Sequence, residues 1–226
     1  MSGIAGQTIP MKPLKGKVAL VAGGSRGAGR GIALALGEAG AIVYVAARTS
    51  RHGPKPADNA PGTVEDTAGE VTRRSGEGIA IRADLSDDEQ VAALFRRIET
   101  DCGRLDVLAN SVWSPNFMEV WSKRFWDLSA GIWRETMETI SACWFCSVYA
   151  AKLMVKRGHG LMVHVTDNQH QDPAAYRGQI LHDLGHESIN RLVMSMSRET
   201  KRSKVAVVGL NPGFTRNGTG PAVYDE

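Results

Sequence analysis

Short apolar segments alternate with longer amphipathic segments along nearly the whole chain. The segments that we interpret as strands are 17–22, 41–47, 78–83, 105–110, 161–166 and 205–210. Helical spacing of apolar residues predicts helices over 31–40, 63–74, 87–100, 132–156 and 181–201. Apolar strands that alternate with helices pair in parallel, with helices covering both faces of the sheet. The pattern therefore predicts an α/β fold, a doubly wound parallel sheet in three α/β/α layers.

The length of the chain suits one large domain. Its 226 residues are 42% hydrophobic, which supplies a substantial core. No internal repeat or linker divides the sequence, so we expect a single domain over residues 1–226. We interpret the polar stretch 50–62, which is rich in glycine and proline, as a surface loop.

Charge and hydropathy restrict the partners and the location. The 27 basic and 24 acidic residues give a net charge of +3 and form no basic stripe, so we expect no nucleic-acid partner. No segment reaches the roughly 20 apolar residues of a membrane span, and residues 1–17 lack the apolar stretch of a signal peptide. We therefore expect a soluble, cytoplasmic protein without a membrane partner.

The three cysteines are too few for a disulfide framework, so we expect reduced thiols. Cys143 and Cys146 have the CxxC spacing of redox and zinc sites. Because they lie within a predicted helix and no second pair is present, we favour packing over redox or metal chemistry.

A glycine-rich turn joins the first predicted strand to the first predicted helix. It consists of Gly23, Gly24, Ser25, Arg26, Gly27, Ala28 and Gly29. Glycines let backbone N–H groups approach a pyrophosphate, and the N-terminus of a helix favours its negative charge. In this position the turn predicts a dinucleotide-binding loop of a Rossmann-like domain, rather than an ordinary turn.

The residues after the second predicted strand bear on the type of dinucleotide. An NAD site usually carries an acidic residue there for the ribose hydroxyls, whereas this chain has Ala47, Arg48 and Thr49. Arg48 and Arg26 are suited to bind the 2′-phosphate of NADP. We expect NADP (NADPH) as the cofactor; the alternative is that both arginines are ordinary surface residues.

These motifs resemble those of the short-chain dehydrogenase/reductase family from about residue 15 to residue 217. The glycine loop is similar to the family's TGxxxGxG loop, with Ala22 at the Thr position. Segment 105–111 is similar to the DxLVNNAG segment, with Asn110 at the first Asn and Ser111 at the second. Val112 and Trp113 take the place of the small Ala-Gly pair that follows.

The resemblance implies further cofactor contacts outside the glycine loop. Asp84 and Leu85 match the family's acidic segment at the adenine ring, and Pro212 and Gly213 match the PG turn near the nicotinamide. Family members usually continue well past that turn with a lid helix and a final strand, so we expect a chain that is short at its C-terminal end.

The family's catalytic Tyr and Lys, four residues apart on one helix, correspond here to His182 and His186. Asp167 stands where the catalytic Ser is expected, and Thr166 precedes it. The resemblance implies hydride transfer between the nicotinamide and a carbonyl or alcohol. His182 would donate the proton, Asp167 or Thr166 would lie near the carbonyl, and His186 would hold the ribose, with Asn110 close by.

Four alternatives stay open. In the first, Tyr176 supplies the hydroxyl from a loop. In the second, the chain binds NADP without turnover and has a binding or regulatory role. In the third, His182 and His186 are ordinary exposed residues of a helix. In the fourth, they bind a metal, because their spacing is that of zinc-protease helices. No third ligand is placed by the sequence, so we expect no metal.

All the tryptophans lie in one segment: Trp113, Trp121, Trp126, Trp133 and Trp144. Their position after the fourth strand favours an apolar or aromatic substrate, although core or interface packing explains Trp133 and Trp144 equally well. In the resembled family, the two long helices build the subunit interface. We therefore expect a homodimer or homotetramer that contacts through 132–156 and 181–201.

Overall fold

The computed structural model describes residues 12–53, 61–113, 123–167 and 179–213. Within these ranges the strands are β1 (Val18–Ala22), β2 (Ile42–Ala47), β3 (Glu77–Arg82), β4 (Val107–Asn110), β5 (Gly160–Val165) and β6 (Val205–Leu210). The α-helices are α1 (Gly27–Glu38), α2 (Val64–Arg73), α3 (Asp88–Cys102), α4 (Ala130–Arg157) and α5 (Ile180–Thr200). Short 3₁₀ turns span Phe125–Asp127 and Lys201–Ser203.

The strands form one parallel sheet in the order β3-β2-β1-β4-β5-β6. At the carboxyl end of β1, Ala22 pairs with Ala46 of β2 on one side and with Asn110 of β4 on the other. The strand order reverses between β1 and β4, and such a switch point opens a crevice at the carboxyl ends of the strands. The predicted doubly wound parallel sheet is confirmed.

Each face of the sheet carries its own hydrophobic core, because successive side chains of a strand point to opposite faces. On one face, Leu20 and Tyr44 pack with α3 and α4, and Val193 of α5 packs against the same cluster. On the other face, Val21 and Val43 pack with α1 and α2. These two cores produce the three predicted α/β/α layers.

Several helices begin at polar caps, and two of them end at glycines. Thr63 caps α2 by accepting from the Asp66 N–H, and Asp87 caps α3 in the same way. Helices α3 and α4 end at Gly103 and Gly158, both in the left-handed conformation that glycine adopts readily. None of the helices in the described ranges is both long and apolar enough to cross a membrane.

Helix α1 departs from the predicted boundaries. It begins at Gly27, whereas the apolar pattern places its start at residue 31. The first two turns contain three glycines, Gly27, Gly29 and Gly31, which carry no side chain to show a helical period. The start of the helix therefore lies within the glycine loop itself.

A buried carboxylate stabilises the amino-terminal ends of the two central strands. Asp106 precedes β4 and is 3% exposed, and its Oδ2 accepts from the Val18 N–H at 2.9 Å. Lys17, Arg104 and Arg157 lie within ion-pair distance of the same carboxylate. Burial opposes ionisation, but the Val18 N–H and the cations outweigh it and hold the pKa of Asp106 below its usual value. The Asp106 carboxylate therefore holds together the amino-terminal ends of β1 and β4, opposite the glycine loop.

Candidate functional site

The glycine loop is packed so closely that two of its glycines admit no side chain. Gly23 has a φ of +81°, and a Cβ there would lie 2.5 Å from the Ser111 carbonyl oxygen. A Cβ on Gly29 would overlap the Gly23 carbonyl oxygen. The loop backbone is therefore pressed against the residue that follows β4, at the switch point of the sheet.

The N-terminus of α1 is arranged to receive an anion. Its N-cap is Arg26, whose side chain has no oxygen to accept the first N–H groups, and its first turn contains no acidic residue. Ser25 is buried, and its carbonyl accepts from the Thr67 hydroxyl at 3.3 Å. Unshielded amides at a helix N-terminus bind phosphate groups through hydrogen bonds and the helix dipole.

Hydrogen bonds tie the glycine loop to the end of β2. The N–H groups of Gly23 and Gly24 donate to the Ala46 carbonyl at 2.8 and 3.2 Å. Arg26 follows two residues after Gly24, and Arg48 follows two residues after Ala46. Arg48 is exposed and Arg26 is half-buried, and the hydrogen bonds to Ala46 bring their two segments together at one corner of the crevice.

Thr49, next to Arg48, is buried, and its carbonyl accepts from the Val64 N–H at 3.0 Å. This bond holds the end of β2 against the start of α2. Asp84 follows β3, and its Oδ1 accepts from the Ser86 N–H and hydroxyl at 3.0 and 2.7 Å. Leu85 is 4% exposed and packs in the core.

Asn110, at the carboxyl end of β4, turns its side chain into the protein. Its Nδ2 lies 3.3 Å from the Cys143 carbonyl oxygen, 3.4 Å from the Ser147 hydroxyl and 3.3 Å from Nδ1 of His164. Asn110 Oδ1 and His164 Nε2 have no hydrogen-bond partner among the described residues. Buried atoms of this kind are where ordered water is usually found.

Cys143 and His164 form a contact that resembles a catalytic thiol–imidazole pair. The Sγ–Nδ1 distance is 3.0 Å. Burial raises the pKa of Cys143 to about 12 and lowers the pKa of His164 to about 4. Both groups are therefore neutral near pH 7, and Cys143 is not a thiolate nucleophile. Cys146 is also buried, so the expectation that the CxxC pair serves packing is confirmed.

His186 and Asp167 are joined across α5 and the end of β5. The Asp167 backbone N–H donates to His186 Nδ1 at 2.9 Å. A backbone N–H only donates, so Nδ1 carries a lone pair and the ring proton is on Nε2. The Asp167 carboxylate accepts from Asn211 Nδ2 at 3.4 Å, which links the ends of β5 and β6.

Thr166 is turned toward α5. It is 2% exposed, and its hydroxyl donates to Asn190 Oδ1 at 3.0 Å. The same hydroxyl lies 3.3 Å from His186 Nδ1. The structure therefore brings Thr166, Asp167 and His186 together, with Thr166 on the inner side of the group.

The indole of Trp113 connects the two histidines of α5. It stacks on His186 with ring centroids 4.0 Å apart and planes at 12°, and it meets His182 edge to face at 5.5 Å. The two imidazole centroids are 4.5 Å apart, and His182 Nδ1 lies 3.7 Å from Asp183 Oδ1. In the sequence, the only indication of this contact is the large residue at position 113, where the short-chain dehydrogenase/reductase motif has a small one.

The other candidate residues are Pro212, Gly213, Tyr176 and the remaining tryptophans. Pro212 and Gly213 are exposed after β6, and the Gly213 N–H donates to Asn211 Oδ1 at 2.8 Å. Tyr176 and Trp121 lie outside the described residues. Trp133 and Trp144 are 49% and 47% exposed, so the idea that they pack in the core is wrong, while an interface role stays a prediction.

No group of three or more His, Cys, Asp or Glu side chains suited to hold a metal ion occurs in the part of the chain that the structure describes. The two histidines and Asp167 accordingly do not form a ready three-ligand site there. The chemistry that this arrangement can perform is the binding of a phosphate-rich nucleotide beside a pair of imidazoles.

Comparisons with known proteins agree with this geometry. A family model described as short chain dehydrogenase matches residues 17–224. Dehydrogenase/reductase SDR family member 1 of Mus musculus is 35% identical over 211 residues, and that of Homo sapiens is 32% identical over 208 residues. Each match covers 90% of this chain but 62% of the relative, so the chain spans less than two thirds of those proteins' length.

Solved structures show the same fold. A putative short-chain alcohol dehydrogenase from Sinorhizobium meliloti 1021 is similar to this chain with a TM-score of 0.76 at 24% identity, covering 96% of this chain and 79% of its own. A metagenomic short-chain oxidoreductase solved in complex with NADP gives a TM-score of 0.74 at 23% identity, covering 89% of this chain and 84% of its own. Together with the family model, which matches nearly the whole sequence, these likenesses establish that the chain belongs to the short chain dehydrogenase family.

Proposed function

We propose that this chain is an NADP-dependent oxidoreductase that transfers a hydride between nicotinamide and an apolar or aromatic carbonyl or alcohol substrate. The observation that carries the proposal is the tight packing of the glycine loop, residues 23–29. Backbone at Gly23 and Gly29 approaches so closely that a Cβ would fill the space, and the amides of the α1 N-terminus lie beside it. A glycine loop of this kind at the N-terminus of a helix fits a pyrophosphate.

The residues that would hold the nucleotide lie along the carboxyl ends of the strands. The amides of residues 23–29 would hold the pyrophosphate, Arg26 and Arg48 with Thr49 would hold the 2′-phosphate, and Asp84 with Leu85 would lie at the adenine. Pro212 and Gly213 would flank the nicotinamide half and His186 would hold the ribose, while Asn110, whose side chain points into the protein, would support the end of β4 rather than contact the cofactor. When bound, NADP supplies or accepts the hydride.

The preference for NADP over NAD rests on charge. Residues 48–50, which follow β2, include no acidic residue, and the exposed guanidinium of Arg48 offers a planar pair of donors for a phosphate. An NADP complex of the similar metagenomic oxidoreductase supports this choice. Two dianionic groups, the pyrophosphate and the 2′-phosphate, would then bind at one corner of the crevice.

His182 is the proposed proton donor and acceptor. A phenol has an ordinary pKa of about 10 and needs a neighbouring cation to exchange protons near pH 7, whereas an imidazole has an ordinary pKa of about 6.5. His186, with its Nδ1 bound to the Asp167 N–H, is neutral and supplies no such cation. The replacements of Tyr and Lys therefore compensate each other, because an imidazole donor does not need the charge that Lys provides.

Thr166 and Asp167 have different parts in this proposal. The buried Thr166 hydroxyl donates to Asn190 and supports the position of α5. Asp167 would lie near the substrate carbonyl, and it would act there as a hydrogen-bond donor only when its carboxyl is protonated, since a carboxylate only accepts.

The alternative function is NADP binding without turnover. The contact that favours it is the stack of Trp113 on His186, which covers one face of a ring that the active enzyme would use. Titration of the protein with NADPH, NADP and NAD, followed by assays against ketones and aldehydes, separates the two functions. Turnover lost in His182→Ala supports the oxidoreductase, and tight NADPH binding with no turnover on any substrate supports the alternative.

We also propose a cytoplasmic homodimer or homotetramer. Helices α4 and α5 expose large apolar side chains, among them Trp133, Trp144, Leu184 and Met194. Apolar surface of this kind on adjacent helices favours association. Light scattering on the purified protein measures the assembly, and a monomer at micromolar concentration would contradict it.

A further inference from the structure

The space for the Trp113 indole exists because residue 185 is glycine. A Cβ built on Gly185 would lie 3.0 Å from Cη2 and 3.5 Å from Cζ3 of Trp113, and 3.5 Å from a methyl carbon of Thr136 on α4. Gly185 is buried within α5, where alanine is the better helix former. The helix thus has a notch on the face that lies between His182 and His186, and the indole fills it.

The filled notch restricts both imidazoles. His186 is held on one ring face by the nearly parallel indole and at Nδ1 by the Asp167 N–H. His182 meets the same indole edge to face. Stacked and edge-to-face aromatic pairs have preferred geometries and limit ring rotation. One side chain from the end of β4 therefore sets the orientation of two rings on α5.

We propose that Trp113 is a positioning residue, whose indole, admitted by the notch at Gly185, fixes His186 in the neutral tautomer that accepts from Asp167 and sets the orientation of His182. Trp113 itself transfers no proton. Its effect passes through the ring of His186 and the edge contact with His182. The catalytic consequence rests on the proposed function, whereas the tautomer does not.

The described groups that surround the imidazoles come from several elements. On α5 they are Asp183 and Asn190, and at the carboxyl ends of β5 and β6 they are Thr166, Asp167 and Asn211. Asp183 and Asp167 are the carboxylates in this set. A histidine released from the indole would be free to turn toward either of them, which changes both its tautomer and its titration.

Nuclear magnetic resonance of the full chain with ¹⁵N-labelled histidine tests the proposal without any assay of activity. His182→Ala and His186→Ala variants assign the signals. We expect His186 of the unmodified protein as a single neutral Nε2–H form, and we expect the same form in Trp113→Phe. In Trp113→Ala and in Gly185→Val, we expect a mixture of tautomers and a changed titration for both histidines.

Trp126→Ala is the matched control, since Trp126 is 68% exposed and pairs with the ring of Phe125. It should leave both histidine signals unchanged. A single, unaltered Nε2–H form of His186 in Trp113→Ala would overturn the proposal. Gly185→Val tests the same contact from the helix side, and circular dichroism distinguishes displacement of the indole from loss of the fold.

The kinetic readout concerns the proposed reaction. Misplacement of a catalytic group costs roughly 10- to 100-fold in rate, so Trp113→Ala should lower kcat by about that factor, with partial rescue in Trp113→Phe. The NADPH dissociation constant should change by less than about 3-fold, because the phosphate cradle is untouched. Turnover absent from every variant contradicts the proposed function, while the tautomer result still decides the role of Trp113.

Discussion

His186 accepts a hydrogen bond from the backbone N–H of Asp167, and this bond assigns the imidazole a neutral form with its proton on Nε2. A protonated ring would place two donors against each other at Nδ1. In the proposed function, His186 takes the place of the family's Lys, so a polar but uncharged group stands where an ammonium is expected. His182 therefore has an uncharged imidazole, rather than a cation, one helical turn away.

His182→Tyr tests whether the imidazole is suited to a site without a cation. In alcohol oxidation the residue must accept a proton, and a phenol with an ordinary pKa of about 10 is almost entirely protonated at pH 7, so we expect kcat/KM to fall at least about 10-fold. The rate should rise with pH up to about 10, as the phenolate forms. The pH profile of oxidation in steady-state assays measures this.

The double variant His182→Tyr/His186→Lys is the matched comparison. The ammonium should lower the pKa of the phenol and restore part of the rate near pH 7. A His182→Ala variant with undiminished turnover would show that the proton passes through another group.

The buried imidazole of His164 should make the protein sensitive to mild acid. Burial lowers the pKa of His164 to about 4, whereas the unfolded chain has the ordinary value of 6.5. Between these values the unfolded state binds a proton that the folded state does not, so the free energy of unfolding falls as the pH falls. The loss amounts to about 3 kcal/mol across this window and is absent above pH 6.5.

His164→Asn removes the titrating group and should flatten the stability curve between pH 6.5 and 4, as measured by urea unfolding at each pH. Asp106→Asn is the control, because the pKa of Asp106 is held low and its stabilisation, present above the unfolded value, is lost only in stronger acid. An equally steep curve for His164→Asn in the mild-acid window would show that another group causes the loss.

Arg48 should determine the choice between the two pyridine cofactors. Hydrogen bonds to a charged group contribute about 1.5–3 kcal/mol, so Arg48→Ala should weaken NADP binding about 10- to 100-fold. NAD lacks the 2′-phosphate, and its affinity should change little. Calorimetric titration with both cofactors measures the ratio.

Arg51→Ala is the matched control, because Arg51 is an exposed arginine of the same segment whose guanidinium is bound to Asp66 at 3.1 Å. It should leave both affinities unchanged. Equal losses for NADP and NAD in Arg48→Ala would mean that Arg48 acts on the pyrophosphate or on the fold rather than on the 2′-phosphate.

The sheet could be predicted from sequence because its strands are locally distinct. The run 41–47 is apolar on both faces, as a central parallel strand must be, and the structure has β2 at Ile42–Ala47. The glycine loop is equally local, since its spacing is itself the signal. Helix α1 shows the limit of this reasoning, because glycines at its start hide the helical period.

The contacts within the site could not be predicted in the same way. Asn110, Cys143 and His164 come from three separate elements, and no spacing in the sequence records that they meet. The notch at Gly185 is likewise visible only when β4 and α5 are placed side by side. The sequence predicts which residues stand at the catalytic positions, but it carries no signal for the hydrogen bond and the ring stack that the fold gives His186.

The tight packing of Gly29 against the rest of the glycine loop gives the sharpest test of cofactor binding. Gly29→Ala places a methyl group against the Gly23 carbonyl and the Ser111 side chain, so the loop must open and lose the amide geometry that receives the pyrophosphate. We expect NADPH affinity to fall at least about 100-fold, or about 2.7 kcal/mol.

Gly31→Ala is the matched control, because a methyl group there, two residues along the same helix, meets nothing within 4 Å, and this variant should bind NADPH normally. It should also stabilise the helix by about 0.5–1 kcal/mol in thermal unfolding. If Gly29→Ala folded and bound NADPH as tightly as Gly31→Ala, the nucleotide would not bind at this loop.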